Sequence, residues 1–127
     1  MYKEVIIIIV VVTLVIGFDV ISNNYLKEAV SELSNELNKL KEIILDEKQE
    51  ETQNQMKIVK KKWKEKYKVM AYYIEHDELE KVETELTRLS ANIDINEYEH
   101  CIEEIETSIF ILEHIQNKEK LDIISIF

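Results

Sequence analysis

An uncharged apolar run near the amino terminus constrains this chain more than any other feature of its sequence. Residues 5–18 carry no charge, and residues 20–21 extend the run past a single acid, Asp19. Folded as a helix at about 1.5 Å per residue, residues 5–21 rise about 25 Å, slightly less than the roughly 30 Å of a bilayer core. Local thinning of the bilayer covers a mismatch of this size. The run therefore predicts a transmembrane helix within residues 1–21.

Three interpretations of this run compete, and an uncleaved signal anchor is the one we favour. A cleaved signal peptide is the second, because a single Lys3 and an apolar stretch of this length suit one. Its cleavage site is poor, since no Ala-x-Ala occurs and Val20-Ile21-Ser22 is only a passable substitute. A buried core helix is the third, but twelve successive residues that are apolar on every face argue against it in a small protein. No cysteine directly follows the run, which excludes a lipoprotein anchor.

The flanks of the run predict its orientation. The positive-inside bias is weak, because Lys3 is offset by Glu4 and Lys27 is the first cation on the other side. A short amino-terminal tail followed by a large body is typical of proteins whose body lies outside the cytoplasm. We therefore expect a single-pass protein of the cell membrane with an extracytoplasmic body formed by residues 22–127.

Turn-forming residues are almost absent from this body. The chain has no Pro, and its one Gly, Gly17, lies in the apolar run. Strand hairpins need residues with positive φ at their turns, so residues 22–127 predict a single all-α domain with short connections. The one cysteine, Cys101, has no partner for an internal disulfide. The net charge of −10 argues against a general nucleic-acid binder.

Four apolar stripes with helical spacing follow the anchor. The first continues to about Leu45 without a breaker, so the transmembrane helix is predicted to run directly into the body. The stripes contain Leu26, Val30, Leu33, Leu37, Leu40 and Ile44; Met56, Val59, Trp63, Tyr67, Met70 and Ile74; Leu79, Val82, Leu86 and Leu89; and Tyr98, Ile102, Ile105, Ile109 and Leu112. Together they predict an antiparallel four-helix bundle.

Capping boxes mark the predicted starts of the later helices. The boxes are Asp46-x-x-Gln49 or Thr52-x-x-Gln55 for the second helix, Asp77-x-x-Glu80 for the third and Asp94-x-x-Glu97 for the fourth. The segments 46–55 and 75–78 are therefore predicted turns.

The first stripe has the a/d spacing of a coiled coil, with intervals of 4, 3, 4, 3 and 4 residues. In one interpretation it is the core-facing side of a bundle helix. In the other, Leu33, Leu37 and Leu40 form a homodimeric seam with a second copy of the chain. These three residues are therefore candidate interaction residues.

A basic stripe on the second helix is another candidate surface. It consists of Lys57, Lys61, Lys64 and Lys68, with Lys62 and Lys66 on the other flank. Residues 75–106 are strongly acidic, so one interpretation pairs the lysines with neighbouring helices, at a few tenths of a kcal/mol per exposed pair. In the other, the lysines contact anionic lipid headgroups or wall polymers, which contributes about 1 kcal/mol per lysine near a charged surface.

The carboxyl-terminal residues 121–127 are mostly apolar and too few for a helix of their own. We expect them to dock against the apolar patch around Phe110 and Ile111. The alternative is a peptide that is presented to a partner through Ile126 and Phe127.

Three polar features are candidates for chemistry, and none predicts an enzyme. Glu97-x-x-His100 has the spacing of half a carboxylate-bridged di-metal site, but no second Glu-x-x-His occurs and His100 is expected to face water. His100 and Cys101 point about 100° apart on a helix, so they do not form a catalytic pair, and Cys101 is expected in the core. His76 either fixes a turn by a hydrogen bond or responds to external pH. We expect no cofactor and no metal.

Several short segments are shared with a known family. They are the anchor, Asn23-Asn24-Tyr25-Leu26, Trp63 among lysines, His76-Asp77-Glu78, Thr87-Arg88-Leu89, His114 and the closing Ile126-Phe127. In these segments the chain resembles a domain-of-unknown-function family of short, single-anchor, helical proteins from spore-forming Gram-positive bacteria. The resemblance covers nearly the whole chain and implies an anchored helical module, but it brings no activity. The polar segment 46–55 has no feature that matches the family.

The function that these features predict is a non-enzymatic, membrane-tethered helical interaction module. It would hold a protein partner, or a second copy of itself, at the outer membrane surface. The alternative is a small-ligand sensor or receptor that holds its ligand between helices. Such a receptor should show polar groups on its inward stripes, which offer only Trp63, Tyr67 and Tyr98.

Overall fold

The structure, a computed structural model, describes the backbone of residues 1–126 and the side chains of residues 1–121. Four helices account for nearly all of this part: α1 (Tyr2–Leu45), α2 (Gln49–Met70), α3 (His76–Asp94) and α4 (Tyr98–Ile126). No strand occurs in residues 1–126. The predicted fold class is confirmed: the chain is all-α, and a long apolar first helix runs into a four-helix bundle.

Helix α1 is continuous because nothing in its sequence interrupts it, but its two halves have different surroundings. The apolar run in its first half is exposed, whereas the stripe from Leu26 to Ile44 is buried. A helix of 44 residues is about 66 Å long at about 1.5 Å per residue. The bundle therefore surrounds only the second half of α1.

The four helices form a ring of antiparallel neighbours. Helix α1 packs against α2 and α4, and α3 packs against the same two helices, while within residues 1–126 the backbones of diagonally opposite helices do not approach each other closely. Short connections make consecutive helices antiparallel. Of the neighbouring pairs, α2 and α3 make the sparsest contact, and this leaves a groove along one side of the bundle.

A hydrophobic core lies along the axis of the ring. Its largest fully buried side chains are Leu26, Leu33, Leu37, Leu40, Met70, Leu79, Leu89, Ile93, Ile105 and Leu112. Most of these belong to the four predicted stripes, because a 3.6-residue period puts them on one face of each helix. The stripe residues Tyr67, Tyr98, Ile102 and Ile109 are partly buried at the border of the core.

Leu33, Leu37 and Leu40 lie in this core, where they expose 1%, 1% and 0% of their surface. Side chains that are buried against their own bundle are not available to a second copy. The core-facing interpretation of the first stripe is therefore correct, and these leucines are not a dimer seam in this fold. An a/d spacing fits both arrangements, because α2 and α4 bury the stripe as well as a partner helix would.

The α1–α2 connection is closed by backbone hydrogen bonds without a glycine. The Lys48 amide donates to the Ile43 carbonyl (3.3 Å), and the Glu47 amide donates to the Ile44 carbonyl (3.0 Å). These two bonds make a Schellman motif, whose central residue adopts the left-handed conformation. Glu47 has a φ of 59°, and Asn96 ends α3 in the same way with a φ of 61°.

Replacing Glu47 by glycine is expected to raise the free energy of unfolding by about 0.5–1 kcal/mol, because glycine adopts a positive φ without the clash that a Cβ causes. The matched control is Glu65→Gly at an exposed position inside α2, which should lower that free energy by about 1 kcal/mol. Urea unfolding followed by circular dichroism measures both. A loss of stability in both variants would contradict strain at Glu47.

The predicted capping boxes do not start the helices. Asp46 is the C-cap residue of α1, Asp77 lies in the first turn of α3, and Asp94 is the last residue of α3. Thr52 lies within α2, where its hydroxyl donates to the Lys48 carbonyl (2.9 Å). For the second and fourth helices the prediction failed because Schellman-type backbone bonds fix the ends of α1 and α3 and thereby set where the next helix begins.

The turn between α2 and α3 lies at residues 71–75, earlier than the predicted 75–78. The amides of Tyr73 and Ile74 both donate to the Met70 carbonyl, at 3.1 and 2.8 Å. Ile74 therefore leaves the helix but keeps its predicted place in the core, with 5% of its surface exposed.

Helix α4 continues through residues 121–126, so these residues extend the helix and do not fold back onto it. Phe110 and Leu121 remain 69% and 63% exposed. The docking prediction is wrong because no helix breaker separates residue 121 from the rest of α4. The side chain of Ile126 and the whole of Phe127 lie outside the described residues, so their proposed role in presenting a peptide stays a prediction.

Candidate functional site: a groove between α2 and α3

An open groove of about 900 Å³ runs between α2 and α3. Its apolar part is formed by Trp63 and Tyr67 of α2 and by Leu86 and Ala91 of α3. Because these two helices make the sparsest contact in the ring, side chains that would otherwise meet between helices line an opening. Sites of roughly 300–1,000 Å³ are typical of ligand binding in proteins, so the groove is the candidate functional site.

Trp63 forms the floor of the groove and is restrained on two sides. It exposes only 5% of its surface, and its ring packs against Tyr67 at 59° with the ring centroids 5.8 Å apart. Its indole N–H donates a hydrogen bond to the Glu83 carboxylate on α3. A tilted aromatic pair and a charge-assisted hydrogen bond each hold the ring in place. The floor is therefore formed before any partner binds.

The two rims of the groove carry opposite charges. Lys60 and Lys64 stand on the α2 rim, and Glu80 and Asp94 stand on the α3 rim. Neither lysine forms an ion pair with another described side chain. At the end nearer the α3–α4 connection, the Gln53 amide donates to the Asp94 carboxylate (3.3 Å). Between this bridge and the α2–α3 turn, the groove presents a basic side and an acidic side to whatever lies in it.

Part of the α3 wall is shallow because three of its groove-lining side chains are small. Thr87, Ser90 and Ala91 line it, and the Thr87 hydroxyl is already engaged with the Glu83 carbonyl (2.8 Å). Small residues on one face let another helix approach closely. Sequence reasoning placed Trp63 in the core and missed these α3 residues, and the signal for them was the i, i+3, i+4 spacing of the three small residues on one helix face.

His76 is the first residue of α3 and lines the groove at its α2–α3 turn end. Its side chain is exposed and makes no hydrogen bond to another described residue, so it does not fix the turn. Backbone bonds such as that from the Tyr72 amide to the Val69 carbonyl (3.1 Å) hold the turn instead. A response of His76 to external pH stays a prediction.

The lysines of α2 divide into two groups. Lys66 forms an ion pair with Glu32 of α1 (2.7 Å), and Lys62 approaches Glu36 of α1 (3.9 Å). The lysines of this flank therefore do pair with a neighbouring helix, but that helix is α1 and not the acidic segment 75–106 on which the prediction rested. The predicted stripe is different: its members are exposed, and none of them forms an ion pair with a described side chain. The stripe members are Lys57, Lys61, Lys64 and Lys68, and of these only Lys64 lines the groove.

A polar cluster ties α2 to α1 behind the groove. Gln55 donates to the Glu36 carboxylate (2.7 Å) and to the Glu36 carbonyl (3.0 Å). Burial acts to raise the Glu36 pKa, but hydrogen bonds from Gln55 and Lys39 and the charges of Lys39 and Lys62 outweigh it, so the pKa is lowered. A carboxyl group with a lowered pKa stabilises the folded state at pH values above its ordinary pKa. This stabilisation is lost as the pH falls through the pKa of the folded state. The α1–α2 contact therefore weakens in acid.

The residues that were considered for chemistry lie apart from the groove. His100 is exposed, with its Nδ1 atom 3.7 Å from a Glu103 oxygen, and the described residues contain no cluster of three or more potential metal ligands. Cys101 is buried in the core, as predicted. Burial raises the pKa of its thiol to about 11, with a further contribution from Glu104 and Glu97.

Comparison with known proteins identifies a family and no closer relative. No match was found among curated proteins or among solved structures. The family match begins at Val20, where the apolar run meets the bundle, and it extends over all four helices of the bundle. The expected resemblance to a domain of unknown function is therefore confirmed at the level of the family. The chain belongs to the DUF4363 family, a domain of unknown function, which it matches over residues 20–126.

Proposed function

We propose that this protein is a membrane-tethered, non-enzymatic interaction module that binds an amphipathic helix of a protein partner. The α2–α3 groove is the observation that carries the proposal. The groove supplies an apolar floor of restrained side chains and two rims of opposite charge, which is what a helix with one apolar face needs.

The tether is the apolar half of α1. This helix is long and apolar enough to cross a membrane, with a mean hydropathy of 3.0 over its best window and 0% of that window buried. A helix satisfies its backbone polar groups internally, which a membrane span requires. The hydroxyl of Thr13 is satisfied too, because it donates to the Ile9 carbonyl (2.8 Å). We propose that the body lies outside the cytoplasm of a Gram-positive cell.

The charges of the rims define the partner. A helix that lies along the groove meets Lys60 and Lys64 on one side and Glu80 and Asp94 on the other. Its complementary sequence carries acids on one flank, bases on the opposite flank and bulky apolar residues at i, i+3, i+4 and i+7 between them. Charge complementarity of this kind fixes the direction of the bound helix and selects among partners more than it adds affinity.

A small-ligand receptor is the second candidate, and polar groups in the groove favour it. A receptor was expected to show inward polar groups, and the groove offers the Glu83 carboxylate, the Ser90 hydroxyl and the His76 ring beside Trp63. The open shape of the groove favours a helix over a small ligand as its occupant. A typical small-ligand site buries about 70–90% or more of the ligand's surface, whereas this groove is open along its length.

Filling the groove is expected to abolish partner binding. In intact cells, a photoreactive amino acid at Lys60 should crosslink the full-length protein to a protein partner. Thr87→Trp puts a large side chain into the groove and should reduce the adduct at least tenfold, which corresponds to about 1.4 kcal/mol. Thr84→Trp is the matched control, because Thr84 is exposed on the same helix and does not line the groove. Its adduct should equal that of the unsubstituted protein.

Three other outcomes contradict the proposal in different ways. Equal adducts in the two variants would place the partner on another surface. Absence of any protein adduct, together with a heat-stable small molecule that co-purifies with Thr84→Trp and not with Thr87→Trp, would establish the receptor. Release of the unsubstituted protein from membranes by alkaline carbonate would remove the tether from the proposal.

A further inference from the structure

We infer that the end of the bundle formed by the α2–α3 turn and the last turns of α4 rests on the lipid headgroups beside the anchor. This inference rests on the proposed tether of α1. The occupant of this surface is the bilayer itself, and the contact is made by exposed apolar and aromatic side chains with lysines beside them.

The register of α2 against α1 sets the height of the turn. Lys66 forms an ion pair with Glu32 (2.7 Å) and lies over the Tyr25 ring, 5.5 Å from its centroid. The two helices are antiparallel, so Tyr72, six residues after Lys66, lies level with Leu26, six residues before Glu32. Leu26 is about 7 Å above the end of the apolar run at about 1.5 Å per residue, and a headgroup layer is about 5–7 Å thick. Tyr72 therefore stands at the top of the headgroups.

The register of α4 against α1 gives the same result independently. Lys41 and Glu106 are joined by an ion pair of 2.6 Å. The helices are antiparallel, so the backbone at Ile126, twenty residues beyond Glu106, is level with Ile21, twenty residues before Lys41. Ile21 is the last residue of the apolar run. Helix α4 therefore reaches down to the membrane edge, and this explains geometrically why it is longer than α2 and α3.

The side chains at this end are unlike those of an ordinary solvated turn. Tyr72 is 87% exposed and Leu121 is 63% exposed, and Val69 beside them is 40% exposed. Tyrosine is enriched at membrane interfaces, where its ring meets acyl chains and its hydroxyl meets water. Lys68 and Lys120 are exposed here as well, and lysine reaches lipid phosphates along its aliphatic stem.

The turn holds these side chains in place. Ile74 anchors it in the core with 5% of its surface exposed, and Tyr73 packs against the same core. On the α4 side, Lys118 approaches Glu75 (3.4 Å) and Glu78 (3.7 Å), which ties the start of α3 to the lower part of α4. With Ile74 and Tyr73 directed inward, Tyr72 is directed away from the bundle. Continuity with the anchor makes the bilayer the surface that it meets.

Contact at this end has a consequence for the groove. A bundle held only by α1 tilts whenever this continuous helix tilts in the bilayer. A second and third point of contact, at Tyr72 and at the end of α4, hold it upright. The groove then runs along the membrane normal with its His76 end at the headgroups, so a helix that leaves the membrane from a neighbouring protein can enter it.

Quenching of a fluorescent label tests the contact. The full-length chain carrying Tyr72→Cys, Lys120→Cys or Lys48→Cys is labelled with an environment-sensitive fluorophore and reconstituted into phosphatidylcholine vesicles that contain a nitroxide-headgroup lipid. Lys48 lies in the opposite connection and is the control. Cys101 stays unlabelled, because it is fully buried. We expect several-fold stronger quenching at positions 72 and 120 than at position 48.

The outcomes separate this inference from the proposed function. If the protein floats with the vesicles and positions 72 and 120 are quenched no more than position 48, the contact is wrong and the tether stands. If the protein does not float with the vesicles, the tether is wrong and the contact falls with it. If positions 72 and 120 are shielded in native membranes but not quenched in pure lipid, a protein occupies this end and the lipid contact is overturned.

Discussion

Truncation of Leu37 to alanine is expected to lower the free energy of unfolding of the bundle by about 2–5 kcal/mol. The side chain exposes 1% of its surface within the core, so the substitution removes buried methyl groups and leaves a cavity that the surrounding helices fill only in part. Domains of this size are stable by about 5–15 kcal/mol, so the loss is a large fraction of the total. At about 4–8 °C per kcal/mol for a domain near 100 residues, the melting temperature should fall by about 10 °C or more.

Leu45→Ala is the control for this prediction. Leu45 is the same residue type on the same helix, but 63% of its surface is exposed, so its truncation should change stability by less than about 0.5 kcal/mol. Urea unfolding of the full-length protein in detergent, followed by the fluorescence of Trp63, measures both variants. If Leu37→Ala instead disrupts self-association and leaves the urea midpoint unchanged, the dimer-seam interpretation of this stripe would be correct after all.

The core was predictable because burial and helical period are the same signal. Leu37, Val59 and Leu89 each belong to a stripe whose apolar residues recur at intervals of three and four. A helix with that pattern has one face to bury. In a chain of this length with four such helices, the four apolar faces can be buried against one another in a single bundle. The periodicity did not choose between a partner helix and the chain's own α2 and α4, which cover the stripe equally well.

The ends of the helices were not predictable from capping boxes. The chain is rich in acids, with 26 Asp and Glu residues among 127, so the capping pattern occurs at several places by composition alone. The ends of α1 and α3 are instead set by Glu47 and Asn96 in the left-handed conformation. Asparagine is a recognised signal for that conformation, but glutamate is not. The end of α1 was nevertheless predicted at about Leu45 from the extent of the apolar stripe, and α1 does end there.

The groove was not predictable because it belongs to a pair of helices and not to either one. The stripes of α2 and α3 show which face of each helix is buried, but not how far apart the helices lie. Trp63 was predicted to lie on the inward stripe of the second helix, and it does lie in the core. Its partner Glu83 is twenty residues away, and no local pattern connects the two. Thr87 and Ala91 can be recognised as groove-lining residues only once Trp63 is known to lie opposite them.

Two lysines within the apolar run are expected to release the protein from membranes. On an insertion scale, aliphatic residues each contribute about −0.3 to −0.6 kcal/mol at the centre of a span, and a lysine there costs about 2.5–3.5 kcal/mol. The fourteen Val, Ile, Leu and Phe residues of the run therefore gain roughly 4–8 kcal/mol in total, and Ile8→Lys together with Val12→Lys costs roughly 5–7 kcal/mol. These two terms are of the same size, so the doubly substituted helix should no longer insert. Flotation and alkaline carbonate extraction should then find it in the aqueous fraction.

The matched control places the same charges on the bundle. Leu45→Lys together with Ile58→Lys replaces two exposed aliphatic residues, which show 63% and 42% of their surface, and this variant should stay with the membrane because its anchor is unchanged. Circular dichroism should show both variants folded, since neither pair of substitutions touches the core. Retention of the Ile8→Lys, Val12→Lys protein in carbonate-washed membranes would mean that another part of the chain holds it there. A mature product that begins after Ile21 would show that the run is a cleaved signal peptide, and the bundle would then act without a tether.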